Sequence, residues 1–259
     1  MRIIDSHSHY DDHRFDDCRD VIINEILSCG YIDGIVNVGC DIKTSKNSIE
    51  LAKKYKEFYA VCGIHPSDSQ KIKPSDEARV LYELEGLLRN ENCVALGEIG
   101  LDYHYEDTNR GIQKRWFELQ MQLAKRLKKN VVIHDRDAHG DCMDMVRKYP
   151  DVIGEFHSFS GSPEMIDELV KRGWYISFSG VITFKNARKT LECVKRVPLD
   201  RIMIETDCPY LSPEPYRGKT NRSDYLKYTA KVASDALGLS VDEFTERATE
   251  NTKRFFKIE

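Results

Sequence analysis

Cysteine pairs of the Cys-x-x-Cys type are missing from this chain, although it contains eight cysteines. Such pairs are typical of cysteine-ligated zinc sites and thioredoxin-like redox sites, so neither of these is predicted. Cys62 and Cys93 lie in short apolar runs, as buried structural thiols do. We therefore expect reduced, buried cysteines and a cytoplasmic location, because free thiols persist in reducing compartments.

The sequence also has no long hydrophobic run, no excess of basic residues and no low-complexity tract. A membrane-spanning helix needs about 18 or more consecutive apolar residues, so no membrane partner is expected. The first residues run directly into a predicted strand, and we expect no signal peptide. Proteins that neutralise phosphates over a long surface are usually basic. With a formal net charge of −4, we expect any contact with nucleic acid to be local or assisted by bound cations.

Short apolar runs recur along the chain and predict eight strands. The predicted strands are Arg2–Ser6, Gly34–Val38, Tyr59–Gly63, Val94–Gly97, Val131–His134, Val152–Phe156, Trp174–Phe178 and Arg201–Glu205. Most of these runs are continuously apolar rather than alternating, as expected for parallel strands that are covered on both faces.

Between and after the strands lie segments whose apolar residues are three or four positions apart, which predicts amphipathic helices. These segments cover residues 80–88, 112–127, 165–170, 223–237 and 241–255. Gly173, which follows the third segment, fits a helix C-terminal cap. Strands that alternate with helices predict a TIM barrel of the α/β class, slightly elaborated with C-terminal helices. We expect one domain over residues 1–259, with Pro209–Pro215 as a loop at the active-site end of the last strand.

A His-x-His pattern stands at the end of the first predicted strand, at His7 and His9. Side chains alternate along an extended segment, so both imidazoles point to the same side. Two imidazoles that converge at a strand end make half of a metal site. The same pattern also occurs on ordinary surface strands, so the assignment depends on further ligands elsewhere in the chain.

Further ionisable residues stand at or just after the ends of other predicted strands. They are His65, Glu98, Asp102, His134, His157, Glu205 and Asp207. Catalytic groups of a TIM barrel gather from the C-terminal ends of several strands, so these side chains are expected to meet. Imidazole and carboxylate together suit Zn, Mn or Mg. The set exceeds what one tetrahedral ion needs, which favours a two-metal hydrolase with a bridging carboxylate.

Seven motifs, in order along the chain, give a resemblance to a known family. They are Asp5-Ser-His7-Ser-His9, Gly63-Ile-His65-Pro66, Gly97-Glu98-Ile-Gly100-Leu-Asp102, His134-Asp-Arg136-Asp137-Ala138, His157-Ser-Phe-Ser-Gly161, Glu205-Thr-Asp207-Cys-Pro-Tyr-Leu211 and Arg217-Gly-Lys219-x-Asn221. With these motifs the chain resembles the TatD-family deoxyribonucleases of the amidohydrolase-like metal-dependent hydrolases.

The resemblance implies two divalent metal ions as cofactors and a role for each matching ligand. The first ion would be held by His7, His9, Glu98 and Asp207. The second ion would be held by Glu98 as the bridging ligand, His134 and His157. Asp207 would also be the catalytic residue that orients or deprotonates the attacking water.

The resemblance also implies residues that bind the substrate or support the ligands. The substrate contacts would be His65, Arg136, Arg217, Lys219 and Asn221. Glu205 would fix the orientation of a ligand, while Asp102 either caps a helix or supports a ligand. The loop continues with Arg222, where the family often has Glu-Pro after the Asn, and this adds a positive charge near the expected phosphate path.

The function implied is a 3′-5′ exodeoxyribonuclease on single-stranded DNA, which cleaves phosphodiesters with a metal-activated water. Hydrolysis of a small ester, lactone, amide or phosphotriester on the same scaffold stays open, as does deacylation of aminoacyl-tRNA. Many of the small-substrate relatives bridge their metals with a carboxylated lysine, whereas this chain has Glu98 there. A non-catalytic binding module would be expected to lose ligands, and none is lost. The oligomeric state is open, with a monomer favoured.

Overall fold

Eight strands alternate with helices in a computed structural model that describes residues 1–259. The strands are β1 (Ile3–Ser8), β2 (Ile32–Val38), β3 (Phe58–Cys62), β4 (Cys93–Asp102), β5 (Val131–Arg136), β6 (Gly154–Phe156), β7 (Tyr175–Phe178) and β8 (Ile202–Ile204). They form one sheet in the order of the chain, and the pairs β1–β2, β3–β4, β4–β5, β5–β6 and β7–β8 are parallel. This is a TIM barrel, which confirms the predicted fold class.

Ten α-helices accompany the strands. They are α1 (Arg19–Ser28), α2 (Ile42–Lys54), α3 (Pro66–Ser69), α4 (Glu77–Leu88), α5 (Arg110–Leu127), α6 (His139–Lys148), α7 (Pro163–Lys171), α8 (Arg188–Arg196), α9 (Leu226–Leu237) and α10 (Val241–Phe256). The five helical segments predicted from periodicity are confirmed as α4, α5, α7, α9 and α10. None of the helices combines the length and apolar composition that a membrane crossing requires.

The backbone divides into two compact units. The first unit comprises residues 1–37 and 157–259, and the second comprises residues 38–156. In the first unit β1 pairs with β2, β7 pairs with β8, and a bridge between Ser8 and Cys208 joins the end of β1 to the segment after β8. In the second unit β3, β4, β5 and β6 pair in succession. That the whole chain acts as a single domain stays a prediction.

Local sequence signals set the ends of α7. The side chain of Ser162 accepts a hydrogen bond from the Met165 amide, which caps the first turn. Pro163 occupies the first helical position, where its missing N–H costs nothing. After the last turn, Gly173 adopts a φ of +83°, a left-handed conformation that glycine takes without strain. The predicted C-terminal stop at this glycine is confirmed.

Strand β4 differs most from its predicted bounds, which ended at Gly97. The ladder to β5 continues as far as Asp102, so Glu98 lies inside the strand and not after it. The register of this ladder shifts between Leu96 and Ile99, which brackets Glu98. Such an irregularity turns a side chain out of strict alternation and is common beside functional sites.

The eight cysteines are all free thiols, and five of them are buried. Cys62 and Cys93 are among the buried five, as predicted, and their reduced state in the cell stays an expectation. The cytoplasmic location that was inferred from them stays an expectation. The stretch Pro209–Pro215 is irregular in structure and follows β8, as predicted.

Candidate metal centre

Four of the predicted metal ligands converge in the first unit, and we call them the first cluster: His7, His9, His157 and Asp207. The Nε2 atoms of His7 and His9 are 3.1 Å apart. The Oδ1 atom of Asp207 lies 3.3 Å from His9 Nε2 and 3.8 Å from His7 Nε2. The rings of His7 and His157 stack with their centroids 4.0 Å apart. The structure therefore brings these four side chains together, as the sequence predicts.

Glu205 contacts the first cluster through His157. It is fully buried, and its Oε1 atom lies 3.1 Å from His157 Nδ1. A carboxylate at this distance can accept a proton from Nδ1 and so orient the imidazole ring. The second oxygen, Oε2, has no hydrogen-bond partner. His7, His157 and Glu205 also have ligand atoms within 4.8 Å of one another, so Glu205 itself can reach an ion.

The pKa of Asp207 is lowered, although burial acts to raise it. A hydrogen bond with His9 and the charges of His157 and His7 outweigh the burial. The side chain is 15% exposed, so it reaches solvent while it touches the imidazoles. Asp207 is therefore an ionised carboxylate that is available both to a cation and to a water molecule.

Asp5 positions the segment that carries Asp207, a role that the sequence analysis did not assign. Its carboxyl accepts hydrogen bonds from the amide and hydroxyl of Thr206, at 2.9 and 2.6 Å, and from the hydroxyl of Ser223 at 2.6 Å. Complete burial raises the pKa of Asp5 to about 7, even though these donors lower it. The sequence feature that could have indicated this role is the position of Asp5 inside an apolar strand.

The second cluster lies in the second unit and consists of His65, Glu98 and His134. The Oε1 atom of Glu98 lies 2.7 Å from His134 Nδ1 and 3.7 Å from His65 Nε2. Ligand atoms of all three residues lie within 4.8 Å of one another. Glu98 is almost completely buried, at 3% exposure, which requires a compensating partner for its charge.

Asp102 lies beside the second cluster and does not cap a helix. Its Oδ2 atom lies 3.3 Å from His134 Nε2, while Oδ1 accepts a hydrogen bond from the backbone of His104. Burial raises the pKa of Asp102, but the bonds from His134 and His104 outweigh this and lower it. The helix that follows is capped by Asn109 instead. That Asp102 supports a metal ligand stays a prediction.

His65 uses its two ring nitrogens differently. Its Nδ1 accepts a hydrogen bond from the Ser67 amide, at 3.1 Å, where His65 caps the short helix α3. A neutral imidazole that accepts at Nδ1 carries its proton on Nε2. The nitrogen that faces Glu98 is therefore a donor, whereas a metal ligand needs a free electron pair.

The donor set of both clusters fits divalent cations. In the first cluster three imidazoles and a carboxylate converge, and in the second a buried carboxylate meets an imidazole at 2.7 Å. The two Nε2 atoms of His7 and His9 cannot both present electron pairs at 3.1 Å without a positive charge between them. Nitrogen and oxygen ligands of this kind suit Zn, Mn and Mg.

The predicted substrate contacts have different surroundings. Arg136, Arg217 and Lys219 are exposed, and the Arg136 guanidinium lies 5.6 Å from the ring of Tyr105. Asn221 is buried, and its amide donates to the carbonyls of Thr206 and Tyr210. Its amide thus holds the loop after β8 in place, and the substrate contact stays a prediction.

Arg222 does not add a free positive charge to this loop, which corrects the expectation from the sequence. Its guanidinium pairs with Asp224 at 2.6 Å and with Glu25 at 3.1 Å. Sequence alone does not show the pairing with Glu25, because Glu25 is almost two hundred positions away. The available cations of the loop are therefore Arg217 and Lys219.

Tyr210 is a feature of the site region that the sequence analysis missed. It is 42% exposed, and the guanidinium of Arg14 covers its ring at 4.3 Å. The ring centroid lies 6.3 Å from that of His9, and its hydroxyl contacts Asp12. An exposed aromatic residue three positions after a predicted ligand was the available signal.

Comparison with known proteins identifies the family of this chain. The family model described as TatD related DNase matches residues 4–257. The chain is 38% identical to the uncharacterized metal-dependent hydrolase YabD of Bacillus subtilis, over 99% of each chain. It is 32% identical to the uncharacterized metal-dependent hydrolase YcfH of Escherichia coli K12, over 100% of this chain and 97% of the relative.

A solved structure is similar along the whole length. The TatD homologue YJJV from Escherichia coli K12 superposes with a TM-score of 0.92 at 27% identity, covering 100% of this chain and 99% of its own. The family model and the relatives therefore cover nearly every residue that the fold uses. The chain belongs to the TatD-related DNase family and is a metal-dependent hydrolase of that family.

Proposed function

We propose that this chain is a deoxyribonuclease that removes nucleotides from the 3′ end of single-stranded DNA. The observation that carries the proposal is Asp207, an ionised carboxylate that touches the imidazoles of the first cluster and also reaches solvent. A general base for water attack needs both properties. Membership of a DNase family supports the substrate class, and the 3′ polarity follows from the family resemblance.

We propose two divalent ions, Mg, Mn or Zn, with Glu98 as the ligand that they share. His7, His9 and Asp207 would complete one coordination shell, and His134 and His157 the other. When bound, such a pair of ions polarises the phosphodiester and lowers the pKa of water. Glu205 and Asp102 would hold the protons of His157 and His134 on the nitrogens that they contact.

The side chains of this site divide the remaining work between proton transfer and orientation. Asp207 takes up the proton of the attacking water through a carboxylate oxygen. His65 donates its Nε2–H to a phosphate oxygen, because its other nitrogen already accepts from Ser67. Arg136, Arg217 and Lys219 are exposed cations that neutralise the charge of the phosphodiester backbone.

The experiment is a gel time course on 5′-labelled single-stranded DNA with metal-stripped protein, with and without added Mg or Mn. We expect a ladder that shortens from the 3′ end only when metal is present. Asp207→Asn should fold normally and lose nearly all turnover, because the amide cannot take up a proton. Asp151→Asn is the matched control, since that exposed carboxylate pairs only with Lys125 at the surface.

Wild-type rates in Asp207→Asn would remove Asp207 from the chemistry. The nuclease would be refuted if no metal supports DNA cleavage while an ester, a lactone or an aminoacyl-tRNA is hydrolysed in parallel assays. The assignment as a metal-dependent hydrolase would then remain. Internal cuts in a circular single strand would refute the exonuclease alone.

A further inference from the structure

A strongly basic surface runs along α8, although the whole chain carries a net charge of −4. Residues 184–196 contain five basic side chains and a single acidic one. Lys185, Lys189 and Lys195 are exposed and make no ion pair. Unpaired cations that cluster on one helix of a protein with negative net charge favour a local site for a polyanion.

The loop after β8 joins this surface. The guanidinium of Arg217 lies 4.3 Å above the ring of Phe184, the residue that leads into α8. The amide of Glu214 donates to the hydroxyl of Thr183 at 2.8 Å, which ties the loop to the segment after β7. The predicted phosphate contact Arg217 and the cations of α8 are therefore neighbours, held by contacts within the first unit.

We call this surface the basic face and define it by its exposed cations. They are Lys185, Arg188, Lys189, Lys195, Arg217 and Lys219. A cavity of about 340 Å³ runs along it, lined by Phe184, Leu191 and three of these cations. Glu192 is the one carboxylate in that cavity, and it lies 3.5 Å from Arg188.

A larger cavity in the second unit shows why the basic face is distinctive. It has a volume of about 510 Å³ and is also lined by cations. There, however, Lys46 pairs with Glu83 at 3.2 Å and Lys71 pairs with Asp68 at 2.6 Å. Charges neutralised by their own protein gain little from a phosphate, whereas the lysines of the basic face have no such partner.

We propose that the basic face binds the sugar–phosphate backbone of single-stranded DNA on the 5′ side of the nucleotide that is cleaved. The proposal rests on the proposed function, which places the 3′ end at the metal centre. Helix α8 is about 13 Å long, which spans at most about four phosphates at ~3.4 Å per nucleotide of a stacked strand. The basic face therefore recognises a chain of phosphates and not a mononucleotide.

The test compares the triple variant Lys185→Gln, Lys189→Gln, Lys195→Gln with a control that carries Lys46→Gln, Lys53→Gln and Lys71→Gln. The control removes the same number of charges from lysines that are already paired. KM and kcat are measured with Mn on a 20-nucleotide and a 3-nucleotide single-stranded DNA. Binding of the labelled 20-mer is measured by fluorescence anisotropy in EDTA at several salt concentrations.

For the triple variant we expect KM and Kd for the 20-mer to rise about tenfold at low salt, with kcat and the 3-mer unchanged. The slope of log Kd against log salt should fall by about 2 for three lost contacts. The control should match the wild type. An equal rise of KM on the 20-mer and the 3-mer, or no rise on either, would overturn the proposal. Tighter binding of an RNA of the same sequence and length, measured by the same anisotropy experiment, would also overturn it.

Failure of the proposed function has a different signature. If the wild type cleaves no DNA, the anisotropy experiment still reports on the basic face, because it needs neither metal nor turnover. Salt-dependent binding that the triple variant loses would then support the surface and refute the nuclease. If the triple variant and the wild type cleave the 20-mer with the same KM and kcat, the nuclease is supported and the role of the basic face is refuted.

Discussion

His157 and His134 each turn one ring nitrogen toward a buried carboxylate, Glu205 and Asp102 respectively. A carboxylate in this position orients the imidazole and favours a proton on the nitrogen that it contacts. We therefore expect the ligand atom of each histidine to be set by a neighbour that is not itself among the predicted ligands.

At this scale we predict that Glu205→Gln lowers the affinity for a divalent ion by about 10- to 100-fold. The amide keeps the shape of the side chain but removes the negative charge that fixes the proton on His157 Nδ1. Affinity is measured by titrating Mn or Zn into metal-free protein against a chromophoric chelator.

Glu118→Gln is a suitable control for this titration, because Glu118 pairs with Lys148 at the surface. Unchanged affinity in Glu205→Gln, with normal affinity in the control, would show that Glu205 neither orients a ligand nor binds the ion.

Helix α10 illustrates how the secondary-structure elements support the site without touching it. It packs against β1, which carries His7, and β8, which precedes Asp207. The hydroxyl of Thr249 donates to the carbonyl of Arg2, and the amide of Asn251 donates to the carbonyl of Ile202. The helix thus holds strand β8 and the residue just before β1 by direct hydrogen bonds.

The N-terminal cap of this helix allows an element-scale prediction. The side chain of Ser240 accepts from the Glu243 amide, at 3.2 Å. Ser240→Ala should lower the free energy of unfolding by about 1 kcal/mol, whereas Ser240→Asp should retain it. Urea unfolding followed by circular dichroism measures the difference. If Ser240→Ala and Ser240→Asp lower the free energy of unfolding equally, the capping hydrogen bond contributes nothing. The size of the serine side chain would then explain the loss.

At the scale of the whole molecule, ion binding and folding are linked, because the ligands come from strands that are far apart in the chain. His7 and Asp207 are about two hundred positions apart and meet only after folding. An ion that binds the folded chain alone stabilises it by about 2.7 kcal/mol when its concentration is 100 times Kd.

We therefore predict that removal of divalent ions lowers Tm by roughly 5–10 °C, a range set by the usual shift per kcal/mol for a chain of this size. Differential scanning calorimetry on EDTA-stripped protein, with and without added Mn, measures the change. Glu205→Gln should show a smaller shift at the same Mn concentration. A Tm that does not respond to Mn, Mg or Zn would contradict a metal centre built from these residues.

Much of the fold could be predicted from local pattern, because the hydrophobic periodicity of a strand or helix is written in consecutive residues. All eight strands and the five predicted helices are present, and Gly173 ends α7 as expected. The sequence also predicted that four side chains would meet, because a parallel barrel places the C-terminal ends of its strands together. They are His7, His9, His157 and Asp207.

The tertiary structure decided what depends on partners that are distant in sequence. It extended β4 past Glu98, because pairing with β5 continues to Asp102. It neutralised Arg222 with Glu25, and it left the lysines of α8 without partners. Sequence determines which groups are available, whereas hydrogen bonds, ion pairs and burial are set by neighbours that only the folded chain brings within a few ångströms.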